Sequence, residues 1–231
     1  MALVINLLVW IFLWIFAFGA FFLLRKKGVN YIRFYVVTSL LFLMFTFVSI
    51  FLFRNILFPV LKEFTIIPFT FLVLMFIIAI LVYHFFNKHV KKPELLMKSN
   101  PDQYFLLMDY KYLFSKSFDI LFQQTQILIL VMLLFNSGFS LVKIVIIFSV
   151  LFGLVHVFNI PLAGKRFGWY YVLASFLAGI LFPLLIINFD YGFVYSYILH
   201  WVFYLVSAIL FWLFSSKALY LVNLRKRYGK Y

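Results

Sequence analysis

The stretch that decides the fold reads FDILFQQTQILILVMLLF (Phe118–Phe135), NSGFS (Asn136–Ser140), LVKIVIIFSVLFGLVHVFNIPL (Leu141–Leu162). Two apolar runs flank a short turn, and each is long enough to cross a hydrocarbon core, which takes about 20 residues of helix. The first run carries Asp119, Gln123, Gln124, Thr125 and Gln126; the second carries Ser149, His156 and Asn159. Polar side chains are costly in lipid and collect where they face a protein interior or a watery cavity, so they mark a candidate site.

The rest of the chain agrees with these two runs. Of 231 residues, 67% are apolar and 11% charged, whereas globular domains sit at about half and about a quarter. The runs are apolar on every face, which excludes the alternating short strands of a β-barrel. Working outward, further spans read Ala2–Leu24, Phe34–Phe53, Thr65–Phe86, Trp169–Phe189 and Phe193–Ser216. The first lacks a basic start and a small-residue cleavage site, so it is expected to be retained. The fold class is therefore all-α, a polytopic integral membrane bundle of seven transmembrane helices in a single domain spanning 1–231. An eighth, re-entrant or interfacial element has room in Asn55–Phe64 or Tyr104–Phe114. Ser175 and Gly179, four apart on the sixth span, favour close helix approach.

Residues 87–117 form the one long hydrophilic stretch, with Lys88, Lys91, Lys92, Lys98, Lys111 and Lys116. Asn100-Pro101-Asp102-Gln103 predicts a helix start, with a capping Asn and Pro at the first helical position. The mixed aromatic and charged run Tyr104–Phe114 predicts a cytoplasmic interfacial helix or, equally, a gate over a cavity. Asp119, close to the same interface, reads either as solvated or as the nearest substitute carboxylate, one turn before Gln123. His84 and His89 sit among basic residues and read as interfacial.

Twenty Lys and Arg stand against six Asp and Glu. In a soluble chain that excess would suggest nucleic acid; here no nucleic-acid partner is expected. Flanking basic residues orient spans and meet anionic headgroups, so the bilayer itself is the expected partner. The links after spans one, three and five, and the tail after seven (Lys217, Arg225, Lys226, Arg227, Lys230), are basic. Those after four and six hold at most Lys143, and the link after two, with Lys62 and Glu63, is intermediate. This alternation predicts a cell-membrane protein with its amino terminus outside and its carboxy terminus in the cytoplasm. There is no cysteine, which excludes disulfide and thiolate chemistry.

Helical spacing puts Asp119, Gln123 and Gln126 on one face, with Gln124 about 100° further round. Ser149, Phe152, His156 and Asn159 share a face of the fifth span, and Ser196, His200, Tyr204 and Ser207 share one of the seventh. The three stripes are expected to converge on one pocket opening toward the cytoplasm or inner leaflet, with Gln123 and His156 within direct or water-bridged hydrogen-bonding reach. Thr125, Ser196 and Ser207 read instead as interhelical hydrogen-bond partners, each contributing about 1 kcal/mol.

Gln123-Gln-Thr-Gln-Ile-Leu128, Phe152-Gly-Leu-Val-His156 and His200-Trp-Val-Phe-Tyr204 resemble, in order and spacing, the motifs of the CPBP family, the CAAX-protease and bacteriocin-processing (Abi) intramembrane proteases. The family pattern is Glu-Glu-x-x-x-Arg, Phe-x-x-x-His and His-x-x-x-Asn. The resemblance covers residues 118–216. It implies that Gln123 occupies the general-base position, Gln124 its neighbour, His156 the partner of the attacking water, and His200 with Tyr204 the oxyanion side. Leu128 stands where the family has arginine. A carboxamide cannot take the proton that a carboxylate takes from water, and such base assistance is worth about 10²–10⁴ in rate. The resemblance therefore implies a catalytically impaired or non-catalytic protein that binds a peptide or a membrane partner. The competing readings are an active CAAX-type endopeptidase with an altered base and a small transporter with an unrelated polar pocket. No internal repeat or pair of broken helices supports the transporter. No cofactor is expected, and His156 with His200 lacks the third ligand of a catalytic zinc site.

Cysteine-accessibility labelling at Ser137 and Lys226 tests the orientation. Ser137 is expected to react from outside intact cells and Lys226 only after permeabilisation; the reverse pattern overturns the topology.

Overall fold

The computed structural model describes residues 2–61, 66–157 and 159–228. Lys62, Glu63 and Lys230 lie outside them, as do the side chains of Asn159, Lys165, Arg166, Lys217, Arg225, Lys226 and Arg227. The chain is a helical membrane bundle: α1 (Ala2–Lys26), α2 (Tyr35–Leu52), α3 (Arg54–Leu61), α4 (Ile66–His89), α5 (Glu94–Ser99), α6 (Tyr110–Asn136), α7 (Leu141–Val157), α8 (Asn159–Asn188) and α9 (Gly192–Tyr228). Six described helices are long and apolar enough to cross a membrane, and α7 is a shorter apolar helix of 17 residues.

The central element is α6, most of whose residues are buried. It is flanked by α1, α2, α7, α8 and α9. Its polar run is consequently enclosed by protein, which is the arrangement that makes such residues tolerable in lipid. Phe122 anchors one side, its buried ring meeting Trp14, Phe18, Phe42 and Phe45 at 5.6–6.1 Å between centroids. Such edge and tilted pairs are worth about 0.5–1.5 kcal/mol each beyond area burial.

Both ends of α6 have local causes. The Asp109 carboxylate accepts from the Lys111 amide at 2.7 Å, satisfying one of the orphan donors at the start. Gly138, with φ of +81°, lets the Phe139 amide reach back to Leu134 at 3.2 Å and stops the helix.

Three expectations are corrected here. The helix start at Asn100 does not form: Asn100 ends α5, and Asp109 is the working cap. The segment Tyr104–Phe114 is not one interfacial helix. Residues Tyr104–Leu107 form a single 3₁₀ turn, and Tyr110 onward belongs to α6. Phe105, Leu106 and Met108 are buried rather than lying on headgroups, and the Trp212 indole donates to the Leu106 carbonyl at 2.6 Å. The basic link expected between spans five and six is helical from Asn159. A Cβ at Gly168 would collide with the backbone of Ile160, eight residues earlier. A straight helix would separate the two by about 12 Å, so the start of α8 bends sharply back. In the link expected to hold an eighth element, α3 forms and packs on α6 through the fully buried Leu57.

The α7–α8 hairpin depends on small residues. A Cβ on Gly179 would sit 2.5 Å from the Ser149 Cα, a backbone atom that cannot yield locally. At Gly153 the obstacle is the ring edge of Phe176, which can swing. Gly179→Val is therefore expected to destabilise by about 1–3 kcal/mol and Gly153→Ala by clearly less, measured by thermal unfolding in detergent. Equal effects would contradict the packing.

Candidate functional site

Asp119 is fully buried, and its carboxylate accepts three hydrogen bonds. Lys116 Nζ (2.6 Å) and the Tyr31 hydroxyl (2.7 Å) donate to Oδ2, and Gln123 Nε2 (2.8 Å) donates to Oδ1. The solvated Asp119 expected near the interface is thus corrected to a buried, paired one. Lys116, expected in the basic surface stretch, is likewise buried. Its ammonium lies 4.6 Å from the Tyr204 ring centroid and 5.3 Å from that of Tyr31, so two aromatic faces share its charge.

The chain delivers Tyr31 to this point by local rules. Gly28, with φ of +84°, ends α1, and the Asn30 carboxamide oxygen accepts from the Ile32 and Arg33 amides. Ser115 then donates to the Tyr31 carbonyl at 2.7 Å. Burial, with the Asp119 carboxylate beside it, pushes the Tyr31 phenol well above its ordinary value.

Gln124 turns the other way, as expected from its angular position. Its Nε2 donates to His200 Nδ1 at 3.0 Å, and Ser196 Oγ lies 3.0 Å from its Oε1. His200 stacks on Tyr204 with centroids 5.6 Å apart. His156 Nδ1 lies 2.7 Å from the Phe152 carbonyl, which only accepts, so Nδ1 carries the proton and neutral His156 presents a lone pair at Nε2.

The site residues are brought together, but around two cavities rather than one. The first, of about 440 Å³, lies between α7, α8 and α9 and includes His156, His200, Tyr204 and Ser207 in its wall. The second, of about 600 Å³, lies between α1, α6 and α7 and includes Lys116, Asp119, Gln123, His156 and Tyr204. Phe152, His156 and Tyr204 belong to both, and Gln124 is sealed between helices. Among the described residues Gln123 and His156 share a cavity without a direct hydrogen bond.

Gln126 does not join the site. It donates to Ser49 of α2 at 2.5 Å, and its backbone carbonyl accepts from Trp10 at 2.8 Å, so it ties helices together. Ser207 pairs with Tyr170 of α8 and Ser196 with Gln124 of α6, the interhelical bonds expected of them, whereas Thr125 bonds back to Leu121 of its own helix, which corrects the interhelical role expected of it. Among the described residues no group of three His, Asp or Glu could hold a metal ion. Lys116 and Tyr31 are the participants that sequence reasoning missed. Lys116 and Asp119 are spaced i, i+3, a pairing readable on any helix; Tyr31 arrives from 88 residues away with no local signal.

Lys116→Met would leave Asp119 buried and unpaired. The expected loss is about 3–5 kcal/mol, with most of it recovered in Lys116→Met/Asp119→Asn; chemical unfolding of the purified variants checks this. Tyr31 stays neutral when folded but ionises near pH ~10 when unfolded. Its contribution is complete below that pH and declines as pH rises above it. Tyr31→Phe should flatten the alkaline slope of thermal stability.

No family model matches the chain, and no curated protein or solved structure is significantly similar to it.

Proposed function

We propose that the chain is a CPBP-like membrane protein without peptidase turnover, which holds a peptide or a segment of a membrane partner beside His156 and His200. One observation carries the reading: both glutamines at the motif positions are held in hydrogen bonds, one of them to the histidine of another motif. Gln123 donates to Asp119, and Gln124 is engaged at both ends by His200 and Ser196. The nearest carboxylate, Asp119, is fully buried and accepts three hydrogen bonds, which leaves it no exposed oxygen to activate a water. His156 Nε2 is the remaining basic atom, and a lone imidazole without a carboxylate is a weak substitute for a family-type base.

Binding needs none of this chemistry. Leu173 and Leu177 of α8 and Val202 and Val206 of α9 line the smaller cavity and are exposed at the bundle surface, so an apolar segment can enter from the bilayer. At the inner end, His200, Tyr204 and the Tyr170–Ser207 pair supply polar atoms for its backbone. A mostly apolar pocket with a few convergent polar groups is the usual form of a binding site. The alternation of basic links supports the cell membrane as the location, with the amino terminus outside.

A peptide-library assay on purified protein tests the proposal with native, His156→Ala and Gln123→Glu forms. No turnover above background is expected from the first two; Gln123→Glu, combined with Gln124→Glu and Leu128→Arg, is the form in which hydrolysis is expected to return. Native turnover abolished by His156→Ala would make this a working endopeptidase with histidine as its base.

A further inference from the structure

The smaller cavity, between α7, α8 and α9, ends at Tyr170, Tyr171 and Ser207. About one turn further along the same two helices, Phe167 and Phe211 stand 4.9 Å apart between ring centroids. The buried ring of Phe105 sits against them at 6.1 and 6.0 Å, and against Tyr204 of the cavity wall at 6.2 Å. Phe105 therefore plugs this end of the cavity.

The plug is carried by a strap, residues 101–108, which joins α5 to α6 with one 3₁₀ turn. Its amide bonds (Gln103 to Asn100, Leu106 to Gln103, Met108 to Phe105) close on the strap or on its own start. Side chains from four helices hold it down. The Tyr171 hydroxyl donates to Gln103 Oε1 at 2.6 Å, and the Trp212 indole to the Leu106 carbonyl at 2.6 Å. The Asn87 amide donates to the Met108 carbonyl at 3.0 Å, and Arg25 pairs with Asp102 at 2.5 Å. That last pair is solvent-exposed and holds little.

The strap is also strained at one point. Met108, buried and just before the Asp109 cap of α6, adopts φ +46° and ψ +43°. A bulky residue persists in this left-handed region only where its surroundings impose it, and such strain gathers in switch segments.

We infer that residues 101–108 are a lid on the α7–α8–α9 cavity, hinged at Met108, plugged by Phe105 and latched by Tyr171 on Gln103. The latch senses the cavity, because Tyr171 lines its wall and has one hydroxyl hydrogen to donate. A carbonyl brought into the cavity competes with Gln103 for that hydrogen and frees the strap. The lid extends the reading of this cavity as the seat of a partner segment. It fits an occupant whose apolar part enters from the bilayer and whose polar flank leaves past the opened strap.

The chain has no cysteine, so Ala174→Cys in the cavity wall is a lone reporter. The full chain in nanodiscs is treated with 2-sulfonatoethyl methanethiosulfonate, an anion kept out of the bilayer-side entrance by the hydrocarbon. Modification is expected to be slow in the otherwise native chain and about ten-fold faster or more with Gln103→Leu or Phe105→Ala. Tyr171→Phe should match Gln103→Leu, and the two together should add nothing further, as for one shared bond. Ala17→Cys, in the fully buried contact of α1 with α2 and α6, should stay unreactive with Gln103→Leu, which separates opening from unfolding. In the unaltered chain, hydrogen exchange of residues 101–108 should run about ten-fold or more ahead of α6 from Tyr112 onward. Strap exchange as slow as that of α6 overturns the lid, as do equal Ala174→Cys rates in native and Gln103→Leu backgrounds, or Ala17→Cys reacting in step with Ala174→Cys. A strap that never opens leaves the partner-segment reading standing through the bilayer-side entrance, and the peptide-library assay answers that reading separately.

Discussion

A carboxylate inside an apolar bundle must be neutralised and fully hydrogen-bonded, and the arrangement around Asp119 follows from that requirement. An ionised group at such a position costs about 2.5–3.5 kcal/mol even on insertion scales. Lys116, one turn earlier on α6, supplies the counter-charge. Gln123, one turn later, and Tyr31, from the α1–α2 link, complete the acceptor sites. The interaction thereby determines more than its own energy. It docks the link between α1 and α2 onto α6, with Ser115 holding the Tyr31 backbone in place. Buried ion pairs contribute little net stability against a well-packed apolar alternative; the consequence here is a fixed register between α6 and the α1–α2 pair.

Around that fixed point the remaining helices pack by size. Gly179 against Ser149 and Gly153 against Phe176 bring α7 and α8 together as a close hairpin. The 3₁₀ turn at Tyr104–Leu107 inserts Phe105 and Leu106 under α9, where Trp212 and Tyr204 meet them. Because α7 packs mainly on α8, one cavity remains on its α1 side and another between its far face and α9. Phe152, His156 and Tyr204 have access to both.

Length and hydropathy made the membrane bundle and its order of spans legible, and Asp119, Gln123, Gln124, His156 and His200 were identifiable as polar residues in lipid-length runs. The facing of Gln124 away from Gln123 was also legible, because it needs only helical geometry. What was not legible had non-local or marginal causes. The boundaries of α6 and α8 moved because lysine and aromatic residues are compatible with both an interfacial segment and a buried helix end. Lys116 was misassigned because charge alone reads as surface; its burial depends on Asp119, Tyr31 and Tyr204 arriving together. The division of the polar stripes between two cavities depends on helix rotation and on Gln124 being sealed by His200 and Ser196, which no spacing rule encodes.

The central claim is that the glutamines at the motif positions are held by hydrogen bonds, Gln123 to Asp119 and Gln124 between His200 and Ser196. The two histidines report on it directly, because their partners impose opposite tautomers. The Gln124 amide only donates through nitrogen, so His200 Nδ1 must accept; the Phe152 carbonyl only accepts, so His156 Nδ1 must donate. Nitrogen-15 NMR of histidine-labelled protein near neutral pH, assigned with single His→Gln variants, distinguishes the forms. The account predicts His200 protonated at Nε2 and His156 protonated at Nδ1. His200 protonated at Nδ1, or a His200 signal unchanged by Gln124→Leu, would contradict it.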